Sequence, residues 1–487
     1  MHRKNHILMI AFCSALSGLL FGYDAGIISG ALLFINKTFT ISSQNQGWMV
    51  AMVPIGALVS SILSGHINDM FGRKKSLFLT ALFYIAGSLI CALAHEVSHL
   101  IIGRFILGIA IGVGSCISPV YTAELALEKQ RGWLVNLFVV FIQLGVFFSF
   151  VMSYVFSHSG NWRMMIGLGI IPAIILAFGT FLLPESPRWL ILKNRVKQAK
   201  HILSSLYGHK IAEKNVQAIR EITERDPITL VKLFKERRYL KVIFIGAAVS
   251  FFTQTVGINA FNYYAPTIFQ KTGFASPASA TYYTMFMGLT LVLSTISSLF
   301  FIDVIGRKKP LLFGTMSIIF TLLCITLGFA LVTNLQILGW LFLICAIVFM
   351  IFHGISIGPA CFLIPSEVFP LRVRGLGMGI SVAFNWGANV LVAALVPVTI
   401  QYLGVSTLFG AFFLITLIAW LVFYFYIPET KGTTLEQIER NVQANVKSSQ
   451  LGSHFFQKKR CGMLISLKPD RVSEYKALHQ HVLPDME

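Results

Sequence analysis

The chain has 487 residues, of which 55% are hydrophobic and only 12% charged, and its mean hydropathy is +0.74. Soluble domains carry roughly 25% charged residues, so the composition excludes a water-soluble globular protein and points to an integral membrane protein. A net charge of +19 would suit a nucleic-acid binder, but the basic residues are grouped between apolar runs rather than along one stripe, which excludes nucleic acid as the partner.

A helix needs about 20 apolar residues to cross a bilayer. Twelve runs qualify: about 7–35, 46–66, 76–95, 99–121, 132–157, 163–183, 239–266, 280–303, 311–332, 336–366, 376–402 and 404–427. The first follows only MHRKNH, has no small-residue cleavage site and exceeds a signal-peptide core, so it reads as a retained span. It holds FGYDAGIISGALLF, in which Asp24 is the only ionisable carboxylate between Ile7 and Ile35. Asn36-Lys37-Thr38 beyond it matches a glycosylation sequon. HINDMFGRKK follows span two and carries Asp69 and Arg73. Span four contains Arg104 in GRFILGIAIG and ends on PVYTAEL, with Glu124 seven residues before Arg131. Gln143 lies in span five, and PESPRWL with Glu185 follows span six.

Residues 184–238 are charged and poor in Pro and Gly, and VKQAKHILSSLYG and KNVQAIREITER read as short surface helices. Span seven then carries QTVGINAFNYYAP, and FIDVIGRKK after span eight carries Asp303 and Arg307. PSEVFPLRVRG after span ten places Glu367 seven residues before Arg374, and span eleven holds Asn385, Trp386 and Asn389. After PETKGTTLEQIE the chain becomes polar and basic and reads as a mobile tail near the membrane surface.

The clusters Arg3/Lys4, Arg73–Lys75, Lys129/Arg131, 188–238, Arg307–Lys309, Arg372/Arg374 and the tail all follow an even-numbered span or lie at a terminus. The alternate loops hold little beyond Lys37, Arg163 and Lys271, an asymmetry that places both termini in the cytoplasm. The motifs also repeat: Asp69 and Asp303, Glu124 and Glu367, and Pro184 and Pro428 are 234, 243 and 244 residues apart. A near-constant shift means two homologous halves, a known transporter plan with the substrate site between the halves. The expected fold is an all-α membrane protein of twelve spans in two six-helix halves. The expected domains are 1–183, a cytoplasmic amphipathic linker 184–238, a second half 239–427 and a tail 428–487.

Charge cost then selects residues. Asp69, Arg73, Glu124, Arg131 and their repeats Asp303, Arg307, Glu367 and Arg374 sit at cytoplasmic helix ends, with Glu185 and Arg188 beside them. Opposite charges there can bridge the halves when that side closes, or simply set topology. Gly65, Gly72, Gly306 and the span-four glycines read as close-packing residues. An intramembrane acid is expected to be functional and paired. At about 1.5 Å per residue, Asp24 lies roughly 22 Å above the cytoplasmic face, and Arg104, descending from the outer face, reaches roughly the same depth. The alternative is a static buried bridge ordering spans one and four. Span seven offers Gln254, Asn259, Asn262 and Tyr263; on a continuous helix the three amides share one broad face. Such amides with an aromatic face suit a sugar, whereas a single one would serve as well as an interhelical hydrogen bond.

Taken together and in order, FGYDAGIISGA, GHINDMFGRKK, GRFILGIAIG, PVYTAEL, PESPRWL, QTVGINAFNYYAP, DVIGRKK, PSEVFPLRVRG and PETKGTTLEQIE span about residues 7–440 and resemble the sugar porter family of the major facilitator superfamily. The likeness is greatest to bacterial proton-coupled xylose, galactose and arabinose symporters. It implies that Asp24 is the proton carrier and Arg104 its modulator. It also implies that Gln143, Gln254, Asn259, Asn385 and Trp386 bind sugar, with Phe21 and Tyr263 lining the site. Three positions depart from the family pattern: Thr253 for a glutamine, Leu291 for an asparagine and Phe362 for a tryptophan. Each removes hydrogen-bonding capacity or aromatic area, so glucose is not assigned, and a pentose, a polyol such as inositol and a less polar solute are all open. The expected function is import of a sugar or polyol by proton symport in the cell (inner) membrane. An uncoupled facilitator and a non-transporting sugar receptor are the alternatives. No enzyme constellation, cofactor motif, metal-ligand spacing or P-loop is present in the sequence, and the seven cysteines read as small packing residues.

Overall fold

The computed structural model describes residues 2–126, 128–209, 212–213, 216–217, 235–370, 373–433 and 435–452, with the side chains of 2–6, 128–132, 237, 302–303 and 435–436 outside that description. Among the described residues, twelve helices are long and apolar enough to cross a membrane: Ile7–Phe39, Ser43–Phe71, Arg73–Ala92, Val97–Leu125, Trp133–Val155, Trp162–Leu182, Arg238–Phe269, Pro277–Phe301, Lys308–Leu331, Leu335–Val368, Arg374–Tyr402 and Gly404–Tyr426. Each overlaps one expected run. Most extend a few residues beyond it, because a helix continues past the apolar layer until a cap or a glycine stops it. Span two, for example, runs through the polar HIND stretch and ends only at Gly72.

Three spans are interrupted. Span six consists of Trp162–Gly167 and Ile170–Leu182, parted at Leu168 and Gly169. Span seven consists of Arg237–Thr255 and Ile258–Phe269, joined through Gly257 in a left-handed conformation at φ 107°. Span ten consists of Leu335–Phe352 and Gly358–Val368, joined by a π-helical turn at His353–Ile357.

The spans form two six-helix halves of the major facilitator fold. In the first half, span one packs on span five, and spans two and three pack on span four; in the second, span nine packs on span twelve and span seven on span eleven. Glycine permits the closest contacts, as expected for span four: a Cβ at Gly108 would stand 2.2 Å from the Val53 carbonyl. Gly65 does not follow that expectation, since nothing lies within 4 Å of its Cβ position.

The halves meet mainly through spans two and eleven, five and eight, and one and seven. Those contacts lie toward one end. A Cβ at Gly47 would stand 2.4 Å from the Ala394 carbonyl, one at Gly288 would stand 2.7 Å from Phe150, and the Tyr154 and Tyr282 rings are 5.3 Å apart. Toward the other end, which carries Arg73 and Arg307 and is called the basic end below, Gly65, Gly375 and Gly379 face open space. The bundle is therefore closed at one end and parted at the basic end.

Past span six, Pro187–Leu192 and Val196–Tyr207 are short helices. They bury Trp189, Leu190 and Leu203 in a small cluster of their own, and Tyr207 donates to the Leu125 carbonyl. Most of KNVQAIREITER lies outside the described residues. The tail begins as a helix, Leu435–Gln443, whose Ile438 and Val442 are buried. The Asn441 amide donates to the Leu451 carbonyl at 2.7 Å, so the chain through 452 folds back on the second half instead of leaving it. Residues 453–487 lie outside the described residues. The sequon is wound into the first helix, and the Thr38 hydroxyl is held between the Phe34 carbonyl and the Trp162 indole.

Candidate functional site

Asp24 and Arg104 meet in the core of the first half. The Arg104 Nη1 is 3.5 Å from Asp24 Oδ1, and both side chains are only 2% exposed. Arg104 Nε donates to the Met49 carbonyl of span two at 2.9 Å, which fixes the guanidinium without using its charge. Asp24 Oδ2 is buried and has no hydrogen-bond partner among the described residues. Nearby tyrosines do not supply one: Tyr23 donates to Met165 and Tyr84 to Leu20. A close arginine–carboxylate bond is roughly 2.7–2.9 Å and often bidentate. This pair is looser than that, at 3.5 Å.

A cavity lies between the halves, lined by Phe21 and Ser115 from the first and by Ser250, Cys361, Phe362, Asn385 and Trp386 from the second. The Phe21 and Trp386 rings are 5.2 Å apart and tilted by 44°, so one aromatic wall is shared between the halves. Behind it the amides are linked. Asn259 donates to Gln254 at 2.6 Å, Gln254 to Asn385 at 3.2 Å, and Asn385 to the Ser250 carbonyl at 3.2 Å. Tyr263 donates to Asn389 at 3.0 Å in a second group, and it is within electrostatic range of both Asp24 and Arg104.

The turn at Gly257 separates Gln254 from the helix that carries both Asn259 and Asn262; Asn259 bonds Gln254 across it, and Asn262 is half-buried with an unpartnered carbonyl oxygen. Thr253 turns its hydroxyl back to the Val249 carbonyl, Leu291 is buried in the apolar core, and Phe362 lines the cavity. Gln143 is half-buried on span five, with no hydrogen bond to a described residue.

At the basic end each half carries the same set of bonds. Arg73 grips Glu124 with two bonds of 3.0 and 3.1 Å, while its main-chain N–H and that of Lys74 donate to Glu185. Arg307 grips Glu367 at 2.8 Å, while its main-chain N–H and that of Lys308 donate to Glu429. Ser186 donates to Glu124, and Thr430 to Glu367. Lys74 donates to the Phe181 carbonyl, and Lys308 to the Tyr424 carbonyl. Glu185 and Glu429 thus cap the N-termini of spans three and nine, where unpaired N–H groups and the helix dipole favour an anion. Gly72 and Gly306 lie under these carboxylates at φ 85° and 105°, where a Cβ would stand 2.4 and 2.5 Å from a carboxylate oxygen. Their role is this tight turn, not helix packing.

Residues 10–442 match the family described as "Sugar (and other) transporter". The chain belongs to the sugar porter family of the major facilitator superfamily. This transporter is 34% identical to the galactose-proton symporter of Escherichia coli K12, over 93% of its own length and 97% of that protein. It is also 34% identical to the probable metabolite transport protein CsbC of Bacillus subtilis, over 92% and 97%. Among solved structures it resembles the partially occluded inward-open form of the xylose transporter XylE from E. coli. That match has TM-score 0.78 and 28% identity and covers 88% of this chain and 100% of that one.

The expected bridges belong to a conformation closed at the basic end, which is not the one seen here. Among the described residues, the ion pairs of this set bind helices within a half. Asp69 is a weaker contributor, 3.6 Å from Arg73 and 72% exposed. Arg374 donates to the Phe369 carbonyl. The side chains of Arg131 and Asp303 lie outside the described residues. Glu429, Ser186 and Thr430 were not singled out from the sequence, although the repeat of PES as PET places each opposite its counterpart.

Proposed function

We propose that this transporter imports a sugar or polyol together with protons, exposing its central cavity to the two membrane faces in turn. The Asp24–Arg104 pair carries the reading. Burying two charges in a membrane is costly, and the carboxylate keeps one oxygen unbonded, ready for a proton. Protonating Asp24 removes its charge and frees Arg104, so spans one and four can shift with solute bound. Losing the proton on the other side restores the pair. Proton-symporting relatives of similar length support the reading.

The basic end is the cytoplasmic end by the positive-inside rule. On this reading both termini are cytoplasmic, the present conformation is open inward, and the membrane is the cell membrane. The Arg73 and Arg307 networks then lock the helix ends of each half into a rigid body. The solute lies against Phe21, Trp386 and Phe362 and is bonded by Gln254, Asn259 and Asn385, with Gln143, Asn262, Tyr263 and Asn389 completing the polar lining as the halves move. The halves are 1–183 and 239–427, joined by the linker 184–238 and followed by the tail 428–487.

Proteoliposomes loaded against labelled D-galactose, D-xylose and myo-inositol test this. Wild-type protein should accumulate at least one of them under an inward proton gradient. Asp24→Asn should lose accumulation but retain solute exchange between equilibrated compartments. Full gradient-driven accumulation by Asp24→Asn would rule out the carrier role.

A further inference from the structure

The amides around the cavity are ordered in one direction. A main-chain carbonyl can only accept, so the Asn385 atom 3.2 Å from the Ser250 carbonyl is its amide nitrogen. The Asn385 oxygen therefore faces Gln254, whose nitrogen donates to it at 3.2 Å. That turns the Gln254 oxygen toward Asn259, whose nitrogen donates at 2.6 Å. One carbonyl thus sets the orientation of three side chains. Ser250 and Gln254 lie one turn apart on span seven, so Asn385 of span eleven is held at both ends of its amide against a single turn.

Cys361 completes the arrangement from a third span. The same Asn385 nitrogen donates to its sulfur at 3.2 Å, and its S–H points to the Ser250 hydroxyl at 3.9 Å. The thiol is 5% exposed and stands in the cavity wall beside Phe362, on the helix that resumes after the π-turn of span ten. A primary amide has two N–H groups. The Ser250 carbonyl takes one from Asn385 and Cys361 takes the other. Asn385 is left with only its oxygen to offer a solute, whereas Gln254 keeps one N–H without a partner among the described residues.

We propose that Cys361 is a positioning residue that sets solute specificity: by accepting the second N–H of Asn385 it makes that side chain an acceptor only, so that one solute hydroxyl donates to Asn385 while a neighbouring one accepts from Gln254. Adjacent hydroxyls of a sugar or polyol can divide the two roles between them. The inference rests on the solute site lying at Gln254, Asn259 and Asn385. A site built to receive a particular hydrogen bond rejects a solute that cannot supply it.

Uptake kinetics in proteoliposomes test it, with whichever of labelled D-galactose, D-xylose and myo-inositol the wild type takes up. Cys361→Ala removes the acceptor without adding bulk. It should raise the half-saturation concentration about threefold to fivefold, since sulfur is a weak acceptor, and leave the maximal rate within about twofold. Cys361→Ser keeps an acceptor and should stay within about twofold of wild type. Unchanged half-saturation in Cys361→Ala, or equal impairment of both variants, overturns the proposal. If Cys361→Ala does not fold, Cys361→Val fills the space without an acceptor and should show the same rise; no rise overturns the proposal. Analogues of the solute with one hydroxyl replaced by fluorine, which cannot donate, read the polarity. In wild type at least one should compete about fivefold less well than the parent solute, and in Cys361→Ala, where Asn385 regains an N–H, that penalty should fall to about twofold. A penalty equal in both proteins overturns the proposal. Wild-type protein that neither binds nor moves any of the three solutes overturns the reading of function, and this proposal with it.

Discussion

The two halves agree at the basic end and differ at mid-membrane. At the basic end an arginine grips a glutamate, a second carboxylate caps the next span, and the hydroxyl of the residue after that carboxylate donates to the gripped glutamate, nearly bond for bond in each half. Deeper in, the first half holds the buried ion pair and the second holds the linked amides. A duplicated fold keeps what both copies need, here a clamp that stiffens helix ends. It diverges where one copy manages charge and the other manages hydroxyls. The left-handed turn of span seven and the π-turn of span ten fall in the amide-bearing half, whereas the first half has only the short break in span six.

The largest effect expected from breaking this asymmetry is at Arg104. Arg104→Met leaves the Asp24 carboxylate buried without its counter-charge, which costs about 3–5 kcal/mol. Thermal unfolding in detergent should show a large drop at neutral pH. The drop should shrink in acid, or in the double variant Asp24→Asn/Arg104→Met. A single variant as stable as wild type would mean that the pair is not energetically coupled.

The basic-end clamps come next and test how equal the halves are. In the first, the Arg73 and Glu124 side chains are 9% and 7% exposed; in the second, Arg307 and Glu367 are 14% and 21%. Glu124→Gln should therefore cost about 3 kcal/mol and Glu367→Gln nearer 1–2 kcal/mol, because water screens the second pair better. The two thermal midpoints read the difference directly, and the reverse order would show that exposure does not set it. Gly72→Ala and Gly306→Ala should each cost about 1–3 kcal/mol in backbone strain, on top of displacing the carboxylate above. Near-equal losses would confirm the repeat at its tightest point, and loss at only one would confine the constraint to that half.

Much of this was legible in the sequence, for physical reasons that differ by residue. The twelve spans follow from the bilayer's thickness, and the buried pair from the expense of a charge at matched depth. The clamp arginines and glutamates were visible because their spacing recurs. Glu429 was not singled out, because a carboxylate in a polar loop reads as surface charge until the N-terminus it caps is seen. The break at Gly257 was less legible: side-chain angles read from the sequence assume a continuous helix, and span seven is not one. His353 left only the signal of a lone histidine in an apolar run. Nothing in FHGISIGP declares that the helix widens there.

The smallest effect separates the clamps by pH and concerns Glu429. Burial pushes its carboxyl upward, but the N–H groups of Arg307, Lys431, Lys308 and Thr430 outweigh burial and hold it below the ordinary glutamate value of 4.5. A carboxyl whose folded value is depressed contributes stability that is fully present above its unfolded value and is lost as pH falls through the folded one. The cap on span nine should therefore hold from neutral pH down to about 4.5 and fail progressively below it. Thermal midpoints from pH 7 to pH 3 should fall more steeply at the acid end for wild type than for Glu429→Gln. That variant starts lower, because it has already lost the anion at the helix terminus. Parallel curves would mean that the Glu429 charge adds nothing to the clamp, and that in the second half the Arg307–Glu367 pair does the holding.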